Sequence, residues 1–153
     1  MSMKRRGMLA AGGATPLLAT PMLASAQQQV TWRLASSFPR STDVLWGVAE
    51  ILHKRLPELT NGGFQVKIFA AGEIVPALQV LDAVSGGNIE CGHTASYYYI
   101  GKDPSLGFGT EMPFGMNARQ HYSWIQQGGG REVMAEVFRD QGVVALPANN
   151  TGA

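Results

Sequence analysis

An α/β fold is what the sequence predicts: a sheet with parallel neighbours and helices packed against it. Two observations carry that expectation. Short runs that alternate large apolar with polar residues, Val30–Ser36 and Phe64–Phe69, are separated by stretches whose apolar residues recur at helical spacing. The 153 residues are 45% apolar and 15% charged, which is enough for one domain's core and too apolar for disorder. The formal net charge of +1 gives no electrostatic reason to expect a nucleic-acid or anionic-membrane binder, and one cysteine excludes a disulfide framework within the chain.

The first 26 residues read differently from the rest. The basic run Lys4-Arg5-Arg6 precedes an apolar or small stretch from Gly7 to Leu23, and Ala24-Ser25-Ala26 supplies a small-x-small cleavage pattern. That order predicts a secretory signal peptide over 1–26, cut between Ala26 and Gln27, and hence an exported, periplasmic chain. Gly12, Gly13, Pro16 and Pro21 speak against a spanning anchor, because each disfavours a long continuous helix. Arg5-Arg6 approximates a twin-arginine signal, and Sec export stays open. Removing residues 1–26 takes three basic residues and no acidic ones, leaving 127 residues with 9 basic and 11 acidic, a net −2. No second segment is long and apolar enough to cross a bilayer.

Within 27–153 the elements follow in order. Val30–Ser36 is the first strand. Ser41 or Thr42 caps a helix in which Val44, Trp46 or Gly47, Val48, Ile51, Leu52, Leu56 and Leu59 share a spacing; Pro57 bends or ends it, and Asn61-Gly62-Gly63 stops it. Phe64–Phe69 is the second strand, and Gly72–Val75 a turn. Pro76 opens a helix to Ser85 with Leu78, Leu81, Ala83 and Val84 inward. Ile89–Ala95 is a short third strand leading into Tyr97-Tyr98-Tyr99. Residues 101–118 read as irregular. A helix over 118–127, broken by Gly128-Gly129-Gly130, resumes over 131–140, and Val143–Leu146 is a fourth, apolar strand. The sequence then ends without a helix to cover that strand, which points to a truncated chain; a mobile natural tail is the other reading.

Cys91 and His93 lie two apart on a strand and so share a face. A nucleophile pair needs an orienting third group and an oxyanion site, and a buried thiol beside a pocket-lining histidine is the commoner arrangement. No metal-site spacing is present, and Gly128–Gly130 follows a helix rather than a strand, unlike a phosphate loop. The positional pattern says more. Ligands of open α/β sheets sit beyond the carboxyl ends of strands. Three such ends carry hydroxyls, amides or aromatic groups: Ser36-Ser37-Phe38, His93-Thr94 with Tyr97–Tyr99, and Asn149-Asn150-Thr151. These suit a small polar ligand held by hydrogen bonds between aromatic walls.

The stretch from Val30 to Pro39 resembles the opening strand of TRAP transporter solute-binding proteins. Phe69-Ala70-Ala71-Gly72-Glu73-Ile74-Val75-Pro76 is similar to the "AGE-[LI]-VP" turn of the branch that binds α-keto acids, and His93–Tyr99 followed by Gly101-Lys102-Asp103-Pro104 to its aromatic segment. Pro113-Phe114, the triple glycine and Asn150-Thr151-Gly152 fall in matching order, so the resemblance covers essentially all of 30–152. It implies the N-terminal portion of a two-lobed, clamshell periplasmic-binding-protein-like fold, with a parallel or mixed sheet and flanking helices. The implied function is a sodium-coupled uptake receptor, not an enzyme, that closes on an organic acid and delivers it to TRAP membrane subunits. By the same resemblance His93, Thr94, Ala95 and Asn150 are substrate-contact positions, and Phe38, Tyr97, Tyr98 and Tyr99 wall the cleft. Members run to roughly twice the 127 residues, as two ordinary domains require. The family's carboxylate-clamping arginine matches none of Arg119, Arg131 or Arg139. Its cation ligands are also absent, so no cofactor is expected here, with a sodium ion implied only for a longer protein. Two alternatives stay open: an exported α/β enzyme using Cys91 and His93, and a truncated chain without independent function.

Overall fold

The computed structural model describes residues 29–110, 112–148 and 151. The expected signal peptide and its cleavage site lie outside these residues, as does Asn150. Strand β1, Val30–Ser36, lies at the centre of a three-stranded parallel sheet of order β2-β1-β3, with β2 at Phe64–Phe69 and β3 at Cys91–His93. Val30 pairs with Phe64 through to Ala35 with Phe69, and Leu34, Ala35 and Ser36 pair with Cys91, Gly92 and His93. Helices α1 (Asp43–Leu59) and α2 (Val80–Ser85) cover the two faces. Adjacent residues of a strand point to opposite faces. Accordingly Leu34 packs with Ala49 of α1 and Val66 of β2, whereas Ala35 packs with Val80 and Ala83 of α2 and with Ile89.

Helix α1 buries a narrower stripe than its apolar content suggests. Trp46 and Ala49 are buried and Leu56 is half-buried, while Val44, Ile51, Leu52 and Leu59 face out. Ala49, fully buried, lets the helix approach the sheet closely, and His53 on the same stripe bonds the Val66 carbonyl at 2.7 Å through Nδ1. A carbonyl only accepts, so the imidazole proton sits on Nδ1. Pro57 does not end the helix: it lies in the last turn, where α1 continues to Leu59. Thr42 is the N-cap by position, but its hydroxyl donates to the Pro39 carbonyl instead of capping.

The segment expected as one helix from Pro76 to Ser85 is a 3₁₀ turn, Ala77–Gln79, followed by α2, and Leu78 is exposed. The third strand is shorter than Ile89–Ala95, and Ser96–Tyr99 and Pro104–Gly109 are 3₁₀ turns. Helices α3 (Ala118–Gln127) and α4 (Gly130–Asp140) meet at the glycine break the sequence predicts. Asn117 caps α3 in a reciprocal box with Gln120, each bond 3.0 Å. Gly129 adopts φ +85, and Gly130 abuts the Trp124 indole so closely that a Cβ there would lie 2.6 Å from Cδ2. Helix α4 places Val137 and Phe138 against a cluster of Leu81, Tyr99 and Leu106.

The expected fourth strand, Val143–Leu146, is not a strand. Gly142 turns the chain at φ +74, and the Val143 N–H bonds the Phe138 carbonyl at 3.1 Å, so the segment folds back on the end of α4. Val143 packs on the Leu81 cluster, while Val144 and Leu146 are 91% and 84% exposed. An apolar run becomes a strand only where a ladder partner meets it. Among the described residues, none pairs with this one.

Candidate functional site

Chain order 2-1-3 across the sheet places its topological switch point between β1 and β3, where a ligand crevice opens in this architecture. The carboxyl ends that meet there are Ser36-Ser37-Phe38 and His93-Thr94. The Ser37 N–H donates to the His93 carbonyl at 2.8 Å, extending the ladder one step past the strands. The Phe38 ring lies edge-on to His93, with centroids 5.0 Å apart, and 6.2 Å from Tyr98, which in turn meets Tyr97 at 4.6 Å. Ser36 Oγ accepts the Phe38 N–H at 3.0 Å and lies 3.4 Å from His93 Nδ1. Phe38 and His93 are therefore held from both strands.

A chain of hydroxyls runs beneath this cluster. Ser37 Oγ lies 2.6 Å from the Ala77 carbonyl and 2.6 Å from Thr94 Oγ1; Thr94 Oγ1 lies 2.8 Å from the Tyr99 hydroxyl, which is 3.2 Å from the Leu81 N–H. Proton inventory sets the direction. An N–H can only donate, so Tyr99 accepts from Leu81 and gives its proton to Thr94. A carbonyl can only accept, so Ser37 gives its proton to Ala77 and takes one from Thr94. Every hydroxyl proton in the chain is spent internally, and the Tyr99 oxygen serves as the cap that Gln79, the positional N-cap of α2, does not provide.

A second tie joins the loops after β1 and β2. Arg40 holds Glu73 through both carboxylate oxygens at 2.9–3.1 Å and stacks over the Trp46 ring at 4.8 Å. Glu73 also accepts the Ala70 N–H at 3.0 Å, and the Ala71 N–H donates to the Phe38 carbonyl at 3.2 Å. The Arg40 hydrogen bonds, followed by that from Ala70, hold the Glu73 carboxyl below its usual range.

Of the residues expected at the site, the structure gathers Phe38, His93, Thr94 and Tyr98, with half-buried Ala95 adjoining Thr94. Tyr97 is exposed. Tyr98 is half-buried, and its hydrogen bond with Tyr97 is the main cause that pushes its hydroxyl up to about 12. Tyr99 turns into the core against Leu81 and Leu106. The sequence pattern missed Arg40 and Glu73, whose signal is opposite charge in loops that follow adjacent parallel strands, and the Ala77 and Leu81 backbone partners, which have no side-chain signal. Cys91 sits in the α1-side cluster with its thiol donating to the Arg33 carbonyl at 3.6 Å; burial, then the Glu90 charge, pushes it up to about 11. A thiol so shifted is a poor nucleophile at neutral pH. No group of three or more His, Cys, Asp or Glu is placed to hold a metal ion among the described residues. No described helix is long and apolar enough to cross a membrane.

Aromatic rings and internally bonded hydroxyls gather at the carboxyl ends of β1 and β3, the position at which open α/β sheets take their ligands. The chain belongs to the DctP family, the bacterial extracellular solute-binding proteins of family 7, whose model matches residues 18–153. These are receptors, which sets aside the enzyme reading of Cys91 and His93. The monocarboxylate 2-oxoacid-binding periplasmic protein of Nostoc sp. PCC 7120 is 52% identical over 124 residues, covering 81% of this chain and 34% of that protein. A TRAP transporter solute-binding protein from Bordetella bronchiseptica RB50, with copurified calcium and picolinate, superimposes with a TM-score of 0.73 at 44% identity over 76% of this chain and 35% of its own. One from Pseudoalteromonas atlantica T6c, with bound sodium and pyruvate, gives 0.74 at 33% over 78% and 36%. The chain thus spans about a third of each relative's length, and the two-lobed clamshell is the architecture to which its α/β frame contributes.

Proposed function

We propose that the chain is the N-terminal part of a periplasmic receptor that binds a small 2-oxo monocarboxylic acid of the pyruvate class and delivers it to TRAP membrane subunits. The observation that carries this reading is the Phe38–His93–Thr94–Tyr98 cluster at the β1/β3 switch point, in a family member 33% identical to a receptor crystallised with pyruvate. The signal-like residues 1–26 support delivery to the periplasm by export. His93, Thr94, Ala95 and Asn150 contact the ligand in this reading, while Phe38, Tyr97 and Tyr98 form its walls and Tyr99 lies behind them in the core. Aromatic faces exclude water from the crevice and so strengthen each polar contact to the acid. A cation accompanies the ligand in the Pseudoalteromonas relative. Among the described residues no group of three or more His, Cys, Asp or Glu is placed to hold one.

The test is thermal melting of the complete protein with pyruvate and with longer 2-oxo acids. One of them raises the melting temperature, and Asn150→Ala abolishes the rise. An undiminished rise in Asn150→Ala removes that residue from the site, and no rise with any 2-oxo acid removes the substrate class.

A further inference from the structure

We infer that Tyr99 and Ser37 are positioning residues for the ligand site, acting through Thr94; this rests on the reading of Thr94 as a ligand contact. Thr94 is half-buried at the crevice, and a threonine hydroxyl has its χ1 to choose. Here the choice is removed from both sides. Tyr99, 3% exposed and wedged against Leu81 and Leu106, donates to Thr94 Oγ1, and Ser37, 6% exposed, takes the Thr94 proton and passes its own to Ala77. The anchors at the two ends are backbone groups, the Leu81 N–H at the start of α2 and the Ala77 carbonyl in the preceding turn. The side chains cannot swing without breaking a bond to the main chain.

Two consequences follow for recognition. With its proton committed to Ser37, Thr94 meets a ligand as an acceptor through its remaining lone pair and as an apolar methyl, not as a donor to a carboxylate. The carboxylate of an organic acid then takes its donors from groups other than Thr94. A Tyr99→Phe chain loses the proton that holds Thr94 Oγ1 and leaves the Leu81 N–H without its partner, while the ring still fills its space. The site loosens at Thr94 without a new cavity.

A double-mutant cycle on pyruvate binding by the complete protein tests this, with Tyr99→Phe, Thr94→Val and the pair compared by calorimetric titration. Tyr99→Phe weakens binding about tenfold. In the Thr94→Val background it weakens binding by less than about twofold, since the residue through which it acts is gone. A residue serving only core stability would lower the unliganded melting temperature and leave the dissociation constant alone. Unchanged affinity in Tyr99→Phe, or the same tenfold loss repeated in Thr94→Val, overturns the proposal while leaving the substrate reading intact. Failure of the unmutated protein to bind pyruvate or any longer 2-oxo acid overturns the substrate reading, and this proposal with it. Should Tyr99→Phe not fold, Ser37→Ala carries the test from the other end of the chain. It is expected to lose affinity comparably, again only where Thr94 is present.

Discussion

Gly92 of β3 faces Val80 and Val84 of α2 with no room for a side chain, and replacing it with alanine tests how tightly β3 is seated on that helix. A Cβ at residue 92 would lie 2.6 Å from Val80 Cγ1 and 3.1 Å from Val84 Cγ2. Ordinary carbon contacts lie near 3.5–4.0 Å, so the first of these requires a shift of about 1 Å. Val80 is 0% exposed and β-branched, which leaves it no free rotamer to take up the strain. Overpacking of this kind costs about 1–3 kcal/mol, of which roughly 0.5–1 kcal/mol is returned by the stiffer unfolded chain. Gly92→Ala should therefore be destabilised by about 1–2 kcal/mol, read as a lower urea midpoint at unchanged slope. Val80→Ala removes the methyl that clashes, so in that background Gly92→Ala should cost under about 0.5 kcal/mol. A Gly92→Ala chain as stable as the parent, or one equally destabilised in the Val80→Ala background, would refute the seating argument.

Other predictions concern the charge pair, the thiol and the glycine break. Hydrogen bonds from the Arg33 guanidinium and backbone draw the Glu90 carboxyl from 4.5 down to about 2. The folded value lies below the ordinary one, so any stabilisation is fully present above 4.5 and is lost as pH falls toward 2. Glu90→Gln should be less stable than the parent at pH 7 and converge with it near pH 2; denaturation curves that stay parallel across that window would discard the linkage. Cys91, raised from 9.0 to about 11, carries about a hundredfold less thiolate at pH 8 than an unperturbed thiol. Iodoacetamide should label it at least that much more slowly in the native protein than in urea, and comparable rates would contradict its placement. Gly130→Ala drives a Cβ to 2.6–2.8 Å from three Trp124 indole carbons. It should lower stability by about 1–3 kcal/mol and change the tryptophan emission, an effect absent if the indole can move aside freely.

Much of the frame was legible because local chemistry and tertiary demand agree there. β1 and β2 alternate apolar and polar residues as half-buried strands do, and the break between α3 and α4 falls where Gly129 and Gly130 supply a left-handed turn and room for Trp124. Val143–Leu146 misled because an apolar tetrad has the composition of a buried strand, while strand formation depends on a partner that composition does not specify. The inward face of α1 misled for a related reason. Its large residues Ile51 and Leu59 advertise burial, but tiny Ala49 makes the contact, since close approach of helix and sheet favours the small side chain. At the site, Phe38, His93 and Thr94 could be read as polar or aromatic groups at strand ends. The hydroxyl chain through Tyr99 could not, because two of its four bonds end on the main chain.

The central claim is that the crevice between β1 and β3 belongs to a receptor for 2-oxo monocarboxylic acids. Calorimetric titration of the complete protein with pyruvate, its longer 2-oxo homologues, an amino acid and a sugar tests it most directly. The account predicts saturable one-to-one binding of a 2-oxo acid, and no heat from the amino acid or the sugar. Binding of either of those in place of every 2-oxo acid would contradict it.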